Sequence, residues 1–228
     1  DPRLSVSEWA DAHRFLSQTA SGEPGPWRTE RTPYMREIMD CLSPSSPVEK
    51  VIFMKGAQIG GTEAGNNWIG YVIHHSPGPM LAVQPTVEMA KRWSKQRVAS
   101  LIDSTPVLCD RVKEARSRDS GNTVQSKEFP GGILVMTGAN SAVGLRSMPV
   151  RYLFLDEVDA YDFDVDGEGD PVSLAAMTAR TSPTDAATCP CSSTTTTATS
   201  FRRWIRTTPP PWTSVPCSPE RASRTTPR

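Results

Sequence analysis

The chain has 228 residues and carries 25 basic and 25 acidic side chains, so its formal net charge is zero. This length allows one α/β domain with a sizeable core, and the neutral balance excludes a protein that binds nucleic acid through an overall basic surface. No apolar run approaches the roughly 20 residues that a membrane-spanning helix needs, so no membrane partner is expected.

The first 42 residues contain two predicted helices. Residues 1–20 have apolar side chains spaced for one helix face, with Ser7 as the candidate N-cap. A Gly/Pro-containing loop follows at 21–33, and residues 34–42 have the spacing of a second helix. We interpret residues 1–30 as an N-terminal helix and linker that precede the main domain.

Four short apolar runs alternate with helical patterns in the middle of the chain. Such runs are typical of strands that are buried on both faces. The predicted strands lie at 51–54, 80–83, 133–137 and 152–155, and the predicted helices at 62–74 and 85–103. Residues 104–128 are polar and give no clear assignment. The alternation predicts an α/β domain with a mostly parallel sheet flanked by helices.

The composition changes after about residue 177. The last 51 residues contain 14 Thr, 7 Ser, 8 Pro and 7 Arg, with no Gly and no Lys. Such a segment buries too little apolar surface to offset its conformational entropy. We therefore predict a core at 31–177 that is incomplete and a disordered tail at 178–228. A frameshift near residues 175–180 explains this composition, and a natural basic linker is the alternative.

A Gly-rich turn follows the first predicted strand. It runs from Lys55 through Gly56, Ala57, Gln58, Ile59, Gly60 and Gly61 to Thr62. The usual phosphate loop is G-x-x-x-x-G-K-[ST], in which backbone N–H groups surround the phosphates. Here Gly61 stands at the lysine position and Lys55 at that of the first glycine. A loop that wraps around phosphates lets a lysine from either end reach the same oxygens, so we predict that the lysine is relocated rather than missing.

An acidic pair, Asp156 and Glu157, ends the last predicted strand. ATP hydrolysis needs an acid at a strand end to hold Mg²⁺ and a second carboxylate to polarise the attacking water. We assign Asp156, with the Thr62 hydroxyl, to the metal and Glu157 to the water. Together the loop and the pair predict a P-loop NTPase of the ASCE/RecA-like type that uses ATP and Mg²⁺, with Glu157 and Lys55 as catalytic residues.

Several segments resemble one family. The loop K-G-A-Q-I-G-G-T-E at 55–63 is similar to the altered phosphate loop of the lambda-like branch of phage terminase large subunits. Similar segments stand at 32–39 (T-P-Y-M-R-E-I-M), 83–86 (V-Q-P-T), 138–147 (G-A-N-S-A-V-G-L-R-S) and 150–161 (V-R-Y-L-F-L-D-E-V-D-A-Y). The resemblance covers roughly residues 5–175.

The resemblance implies roles for further residues. Tyr34 matches an aromatic residue that packs on adenine, although a core position in the helix 34–42 is the alternative. Arg146 is a candidate to contact the γ-phosphate, in its own subunit or in a neighbouring one. The segment Gln84-Pro-Thr86 resembles one that couples nucleotide state to DNA grip, and Thr86 also has the position of a helix N-cap. For the cations of the predicted helix at 85–103, contact with DNA phosphates and a solvated helix face are the two alternatives. These cations are Lys91, Arg92, Lys95 and Arg97.

The family also implies partners and a location. These are double-stranded DNA, a terminase small subunit, a portal or procapsid and a homo-oligomeric ring, in the cytoplasm of the bacterial host. The family's separate nuclease domain has no counterpart in this sequence, and the chain begins at Asp1 without Met, so we expect a fragment. An inactive prophage remnant that binds nucleotide at most, or a helicase-like ATPase, are the alternatives to a DNA-packaging motor.

Overall fold

The computed structural model describes residues 4–18, 22–56, 58–112 and 122–180, and the backbone of residues 196–201. The helices are α1 (Val6–His13), α2 (Tyr34–Cys41), α3 (Gly61–His74), α4 (Val87–Trp93), α5 (Ala99–Ser104), α6 (Pro106–Cys109), α7 (Ala142–Leu145) and α8 (Pro171–Arg180). The strands are β1 (Phe15–Leu16), β2 (Gly25–Pro26), β3 (Lys50–Met54), β4 (Met80–Gln84), β5 (Ser126–Phe129), β6 (Gly132–Gly138), β7 (Tyr152–Leu155) and β8 (Thr196–Phe201).

One six-stranded sheet organises the described residues, in the order β3–β8–β7–β4–β6–β5. Every pairing is parallel except that of β5 with β6 at the edge. The predicted α/β class and mostly parallel sheet are therefore confirmed. The carboxyl ends of β3, β7 and β4 lie at one edge of this sheet, which is where open α/β sheets place their ligands.

The two faces of the sheet bury different helices. On β4, Met80 and Ala82 belong to a core that includes side chains of α1, α2 and α3, whereas Leu81 and Val83 belong to a second core with α7 and α8. This alternation follows from the two-residue period of a strand. All five residues of β4 and all four of β7 are buried, as expected for parallel strands covered on both faces. The same expectation is wrong for β3, in which Lys50 and Ile52 are exposed.

The N-terminal segment differs from the predicted single helix over 1–20. Helix α1 ends at His13, and residues 15–16 then pair with β2 in a small antiparallel ladder. The N-cap is Ser5 rather than Ser7: its side chain accepts from the Glu8 N–H, and the Glu8 carboxylate accepts from the Ser5 N–H. This reciprocal pair is a capping box, and it satisfies two backbone donors where Ser7 would satisfy one.

The predicted helix at 85–103 is divided into three parts. Thr86 caps α4 through a hydrogen bond from the Met89 N–H, as predicted. A π-helical turn, Ser94–Val98, then joins α4 to α5. The Ser94 hydroxyl donates to the carbonyl of Val124. Residues 104–128, which had no assignment, contain α6 and β5 in their described part.

The C-terminal boundary also differs from the prediction. Helix α8 continues to Arg180, and β8 lies at 196–201, inside the segment predicted to be disordered. The prediction relied on the shortage of apolar residues. Threonine nevertheless favours extended backbone because it is β-branched, and pairing with both β3 and β7 draws on backbone hydrogen bonds. The rest of the predicted tail, 181–195 and 202–228, lies outside the described residues. Within the described part, no helix is long and apolar enough to span a bilayer.

Candidate nucleotide-binding site

A cavity of about 720 Å³ opens at the carboxyl edge of the sheet. One wall is formed by the loop after β3, the start of α3 and the end of β7. The opposite wall is formed by α4 and the π-helical turn. The residues that line the cavity are Leu16, Lys55, Gly56, Gln58, Ile59, Gly60, Gly61, Thr62, Glu63, Gln84, Met89, Arg92, Trp93, Gln96, Arg97, Asp156, Glu157, Asp159 and Ala160.

The loop after β3 has the backbone of an anion site. Gln58 and Gly60 adopt left-handed conformations, with φ angles of 57° and 84°. Helix α3 begins directly afterwards at Gly61 and runs for 14 residues. Left-handed turns expose successive N–H groups, and the N-terminus of a helix favours negative charge. Ala57, also predicted to bind nucleotide, lies outside the described residues.

The Lys55 side chain lies across the loop, beside Gly61. A Cβ atom on Gly61 would lie 2.4 Å from Lys55 Cδ and 2.8 Å from Lys55 Cε. The Lys55 side chain therefore occupies the space that a side chain at position 61 would need. Its Nζ lies 3.9 Å from Asp156 Oδ1. The absence of a side chain at position 61 thus leaves room for the Lys55 side chain.

Asp156 lies at the centre of the site. It is 2% exposed, and its Oδ2 accepts from Thr62 Oγ1 at 3.0 Å and from Gln84 Nε2 at 3.4 Å. These contacts join the carboxylate of β7 to the start of α3 and to the end of β4. A hydroxyl and a carboxylate oxygen this close fit Mg²⁺, which takes one or two protein ligands beside waters and phosphates.

Glu157 is exposed and lines the cavity beside Asp156. Its φ of 52° is left-handed, an uncommon conformation for a residue other than glycine, asparagine or aspartate. Strained backbone of this kind persists where surrounding structure imposes it, often at functional sites. The turn places the Glu157 carboxylate at the cavity while the Asp156 carboxylate stays buried.

Tyr161 anchors the segment that follows Glu157, a role that no local sequence pattern predicts. Its hydroxyl donates to the Val83 carbonyl at 3.0 Å, and the Asp156 N–H donates to the same carbonyl at 3.0 Å. Burial, followed by the charge of Asp156, raises the pKa of Tyr161 above its ordinary range. The phenol therefore remains a neutral donor.

The opposite wall contains charged residues that were not assigned to the site. Arg92, Gln96 and Arg97 line the cavity. Arg97 NH1 lies 3.6 Å from Glu63 Oε1, and Arg14 NH2 lies 3.0 Å from Glu63 Oε2. Burial lowers the pKa of Arg14 below its ordinary value, and the charge of Glu63 offsets part of this shift. Arg14, Glu63 and Arg97 come from separate parts of the chain, so no local motif predicts that they meet.

Two predicted site residues lie outside the cavity lining. Tyr34 is 51% exposed, which rules out the core position, and its hydroxyl donates to the Ile59 carbonyl of the loop at 2.9 Å. Arg146 follows α7 and forms an ion pair with Glu168. The structure thus brings Lys55, Thr62, Asp156 and Glu157 together, joins Tyr34 to the edge of the loop, and leaves Arg146 apart.

A family profile matches most of the chain. The family is described as "Phage terminase large subunit gpA, ATPase domain", and the match covers residues 21–210. It extends past the predicted change of reading frame at 175–180. That hypothesis stays a prediction, which the nucleotide sequence around codons 170–190 would test.

Two curated relatives are terminase large subunits. The chain is 28% identical over 172 residues to that of Enterobacteria phage P21, and 29% identical over 175 residues to that of Escherichia phage lambda. The alignments cover 75% and 76% of this chain but 26% and 27% of the relatives. The chain therefore spans about a quarter of their length.

The fold is similar to that of a solved large terminase. The large terminase of bacteriophage HK97 superposes with a TM-score of 0.61 at 12% sequence identity. The superposition covers 87% of this chain and 38% of that chain. At this identity the likeness concerns the fold alone.

Proposed function

The chain belongs to the family of the ATPase domain of the phage terminase large subunit gpA, and from this premise we propose that it binds and hydrolyses ATP as the motor domain of a viral DNA-packaging machine. Membership of this family identifies the chain as an ATPase domain that binds nucleotide. The proposal adds the bond that is cleaved, the metal, and a role for each residue of the cavity.

The observation that carries the proposal is the path of Lys55 over Gly61. A phosphate loop needs one cation at the β- and γ-phosphate oxygens, and the residue at the usual lysine position has no side chain. Lys55 fills that space and comes within 3.9 Å of Asp156 Oδ1. Its ammonium therefore lies between the helix N-terminus and the acidic pair, where the phosphates of a nucleotide would lie.

Mg²⁺ fits the hydroxyl of Thr62 and the carboxylate of Asp156. The two oxygens are 3.0 Å apart, and both belong to the hard ligands that this ion prefers. When bound, the ion neutralises charge on the β- and γ-phosphates. Gln84 donates to the same carboxylate oxygen and holds it in place.

Glu157 acts as the general base in this proposal. Its carboxylate takes one proton from a water molecule as the water oxygen forms a bond to the γ-phosphorus. The bond between that phosphorus and the β,γ-bridging oxygen breaks, and ADP and phosphate leave. Proton transfer by a positioned side chain typically contributes 10²- to 10⁴-fold in rate.

The remaining roles are proposed from the family. Tyr34 packs on the adenine ring beside the loop that its hydroxyl contacts. Arg146, which pairs with Glu168 in this chain, contacts the γ-phosphate of ATP bound in its own subunit or in a neighbouring subunit of a homo-oligomeric ring. The assembled protein works in the host cytoplasm on double-stranded DNA, with a terminase small subunit and a portal or procapsid.

Glu157→Gln tests the proposed chemistry. The substitution keeps shape and removes the base, so we expect Mg²⁺-ATP affinity within about twofold of wild type. Single-turnover hydrolysis, measured with the protein in excess over labelled ATP, falls by about 10²-fold or more.

Asp162→Asn is the matched control, since Asp162 is exposed and does not line the cavity. We expect it to retain the wild-type rate. Hydrolysis by Glu157→Gln at the wild-type rate would show that another residue is the base. A wild-type chain that binds ATP without any turnover would contradict hydrolysis and favour the inactive remnant.

A further inference from the structure

The four cations of α4 and the π-helical turn do not share one environment. Arg92 and Arg97 line the cavity, whereas Lys91 and Lys95 do not. All four side chains are at least partly accessible to solvent. On a solvated helix face, or on a surface that contacts DNA, all four cations would have the same surroundings. The cavity instead separates Arg92 and Arg97 from the two lysines.

Arg97 is held next to the phosphate loop by Glu63, the residue that follows Thr62. The Arg97 guanidinium is 3.6 Å from one Glu63 oxygen, and Arg14 is 3.0 Å from the other. The Arg14 side chain is 2% exposed, whereas that of Arg97 is 44% exposed. Glu63 thus has a buried partner, Arg14, and a partly exposed partner, Arg97, which lines the cavity.

The backbone that carries Arg97 is itself unusual. Gln96 and Arg97 both line the cavity and both lie on the π-helical turn Ser94–Val98. Single π turns inside helices are found frequently at functional sites. The Ser94 hydroxyl, bonded to the Val124 carbonyl, ties this turn to the region before β5.

We propose that Arg97 binds the terminal phosphate of a nucleoside triphosphate in its own chain, exchanging Glu63 for the phosphate. Arg97 would then distinguish ATP from ADP. The inference rests on the nucleotide-binding function proposed above and adds a contact from the wall opposite the phosphate loop. The Glu63 carboxylate carries one charge and lies 3.6 Å from the guanidinium. A terminal phosphate is the stronger partner because it carries about two charges and can also bind through two oxygens at once.

The geometry favours a phosphate of the nucleotide over one of DNA. Arg97 faces the cavity that also contains Lys55, Thr62 and Asp156. Its partner Glu63 directly follows the residue proposed to hold Mg²⁺. Binding to a DNA backbone would instead draw on Lys91 and Lys95 together with the arginines, and it would weaken steeply with salt.

The test is calorimetric titration of Mg²⁺-ATP and Mg²⁺-ADP into wild type, Arg97→Ala and Lys91→Ala. We expect Arg97→Ala to lose about tenfold in ATP affinity, as for one charge-assisted contact, with ADP affinity within about twofold. Retained ADP binding also shows that the variant is folded. Lys91→Ala changes neither affinity, and Arg97→Lys recovers part of the ATP affinity as a point charge.

Each alternative outcome is decisive. Equal losses for ATP and ADP would mean that Arg97 only shapes the cavity through Glu63, and unchanged ATP affinity would mean that it makes no phosphate contact. Either result overturns the inference while leaving the proposed function intact. Failure of the wild-type chain to bind either nucleotide would overturn both.

Discussion

The two walls of the cavity are built in different ways. The wall of the phosphate loop comes from residues 55–62 and the acidic pair at 156–157, two short segments that follow β3 and β7 of the same sheet. The opposite wall combines residues of α4 with a π-helical turn. The first wall is encoded by contiguous motifs, whereas the second exists only because the fold brings α4 over the loop.

Glu63 connects the two walls. It stands in the first turn of α3, where a negative charge favours the helix N-terminus. One of its oxygens contacts Arg97 of the opposite wall, and the other contacts Arg14, which follows α1. Asn67 Oδ1 accepts from Arg14 Nε at 3.2 Å and fixes the guanidinium further. Arg14 therefore joins the N-terminal segment to α3.

Arg14→Leu should give the largest change in stability, because it removes the support that Glu63 has from the N-terminal segment. Breaking a buried ion pair by removing one partner typically costs 3–5 kcal/mol. Glu63 keeps Arg97 and is partly exposed, so we expect the lower end, about 3 kcal/mol less free energy of unfolding. Urea denaturation followed by tryptophan fluorescence would measure it.

Arg31→Leu is the matched control for that experiment. Arg31 pairs with Glu23 at 2.7 Å, but both side chains are more than half exposed. Exposed pairs contribute about 0–1 kcal/mol, so this variant should unfold near the wild-type midpoint. Similar losses for the two variants would contradict the claim that Arg14 ties α1 to the site.

Gly61→Ala probes the phosphate-loop wall with a smaller effect. The new methyl group would meet the Lys55 side chain at 2.4 Å, and a flexible lysine moves aside at little cost in stability. We expect the free energy of unfolding to change by less than about 1 kcal/mol. Mg²⁺-ATP affinity should fall by about tenfold, which corresponds to 1.4 kcal/mol.

A double-mutant cycle isolates the cause of that loss. If Gly61→Ala acts by displacing Lys55, it should have little further effect on ATP affinity in a Lys55→Ala background. Gly22→Ala is the control, because nothing lies within 4 Å of its added methyl group. Additive losses at positions 55 and 61 would show that the methyl group acts on the nucleotide directly.

The sequence predicted the first wall because its signals are local. A short apolar strand, a Gly-rich turn and the start of a helix lie between residues 50 and 62, and the acidic pair directly follows the buried strand β7. These patterns predicted four of the six strands of the sheet, β3, β4, β6 and β7, with each end correct to within one residue. They also named Lys55, Thr62, Asp156 and Glu157, which the structure brings together.

The sequence could not predict the second wall, because its residues meet only through the packing of the whole domain. Arg14, Glu63 and Arg97 are separated by 49 and 34 positions and form no recognisable spacing. Helix periodicity placed Arg97 on a helix but missed the π-helical turn. Similarly, composition alone missed β8, because backbone pairing between two strands needs few apolar side chains.

One titration tests whether the phosphate-loop lysine has moved to position 55. Mg²⁺-ATP binding is compared among wild type, Lys55→Ala and Lys50→Ala, the last an exposed lysine at the other end of β3. We predict that Lys55→Ala loses at least about tenfold in affinity and that Lys50→Ala binds like wild type. Wild-type affinity in Lys55→Ala would show that Lys55 does not bind the phosphates.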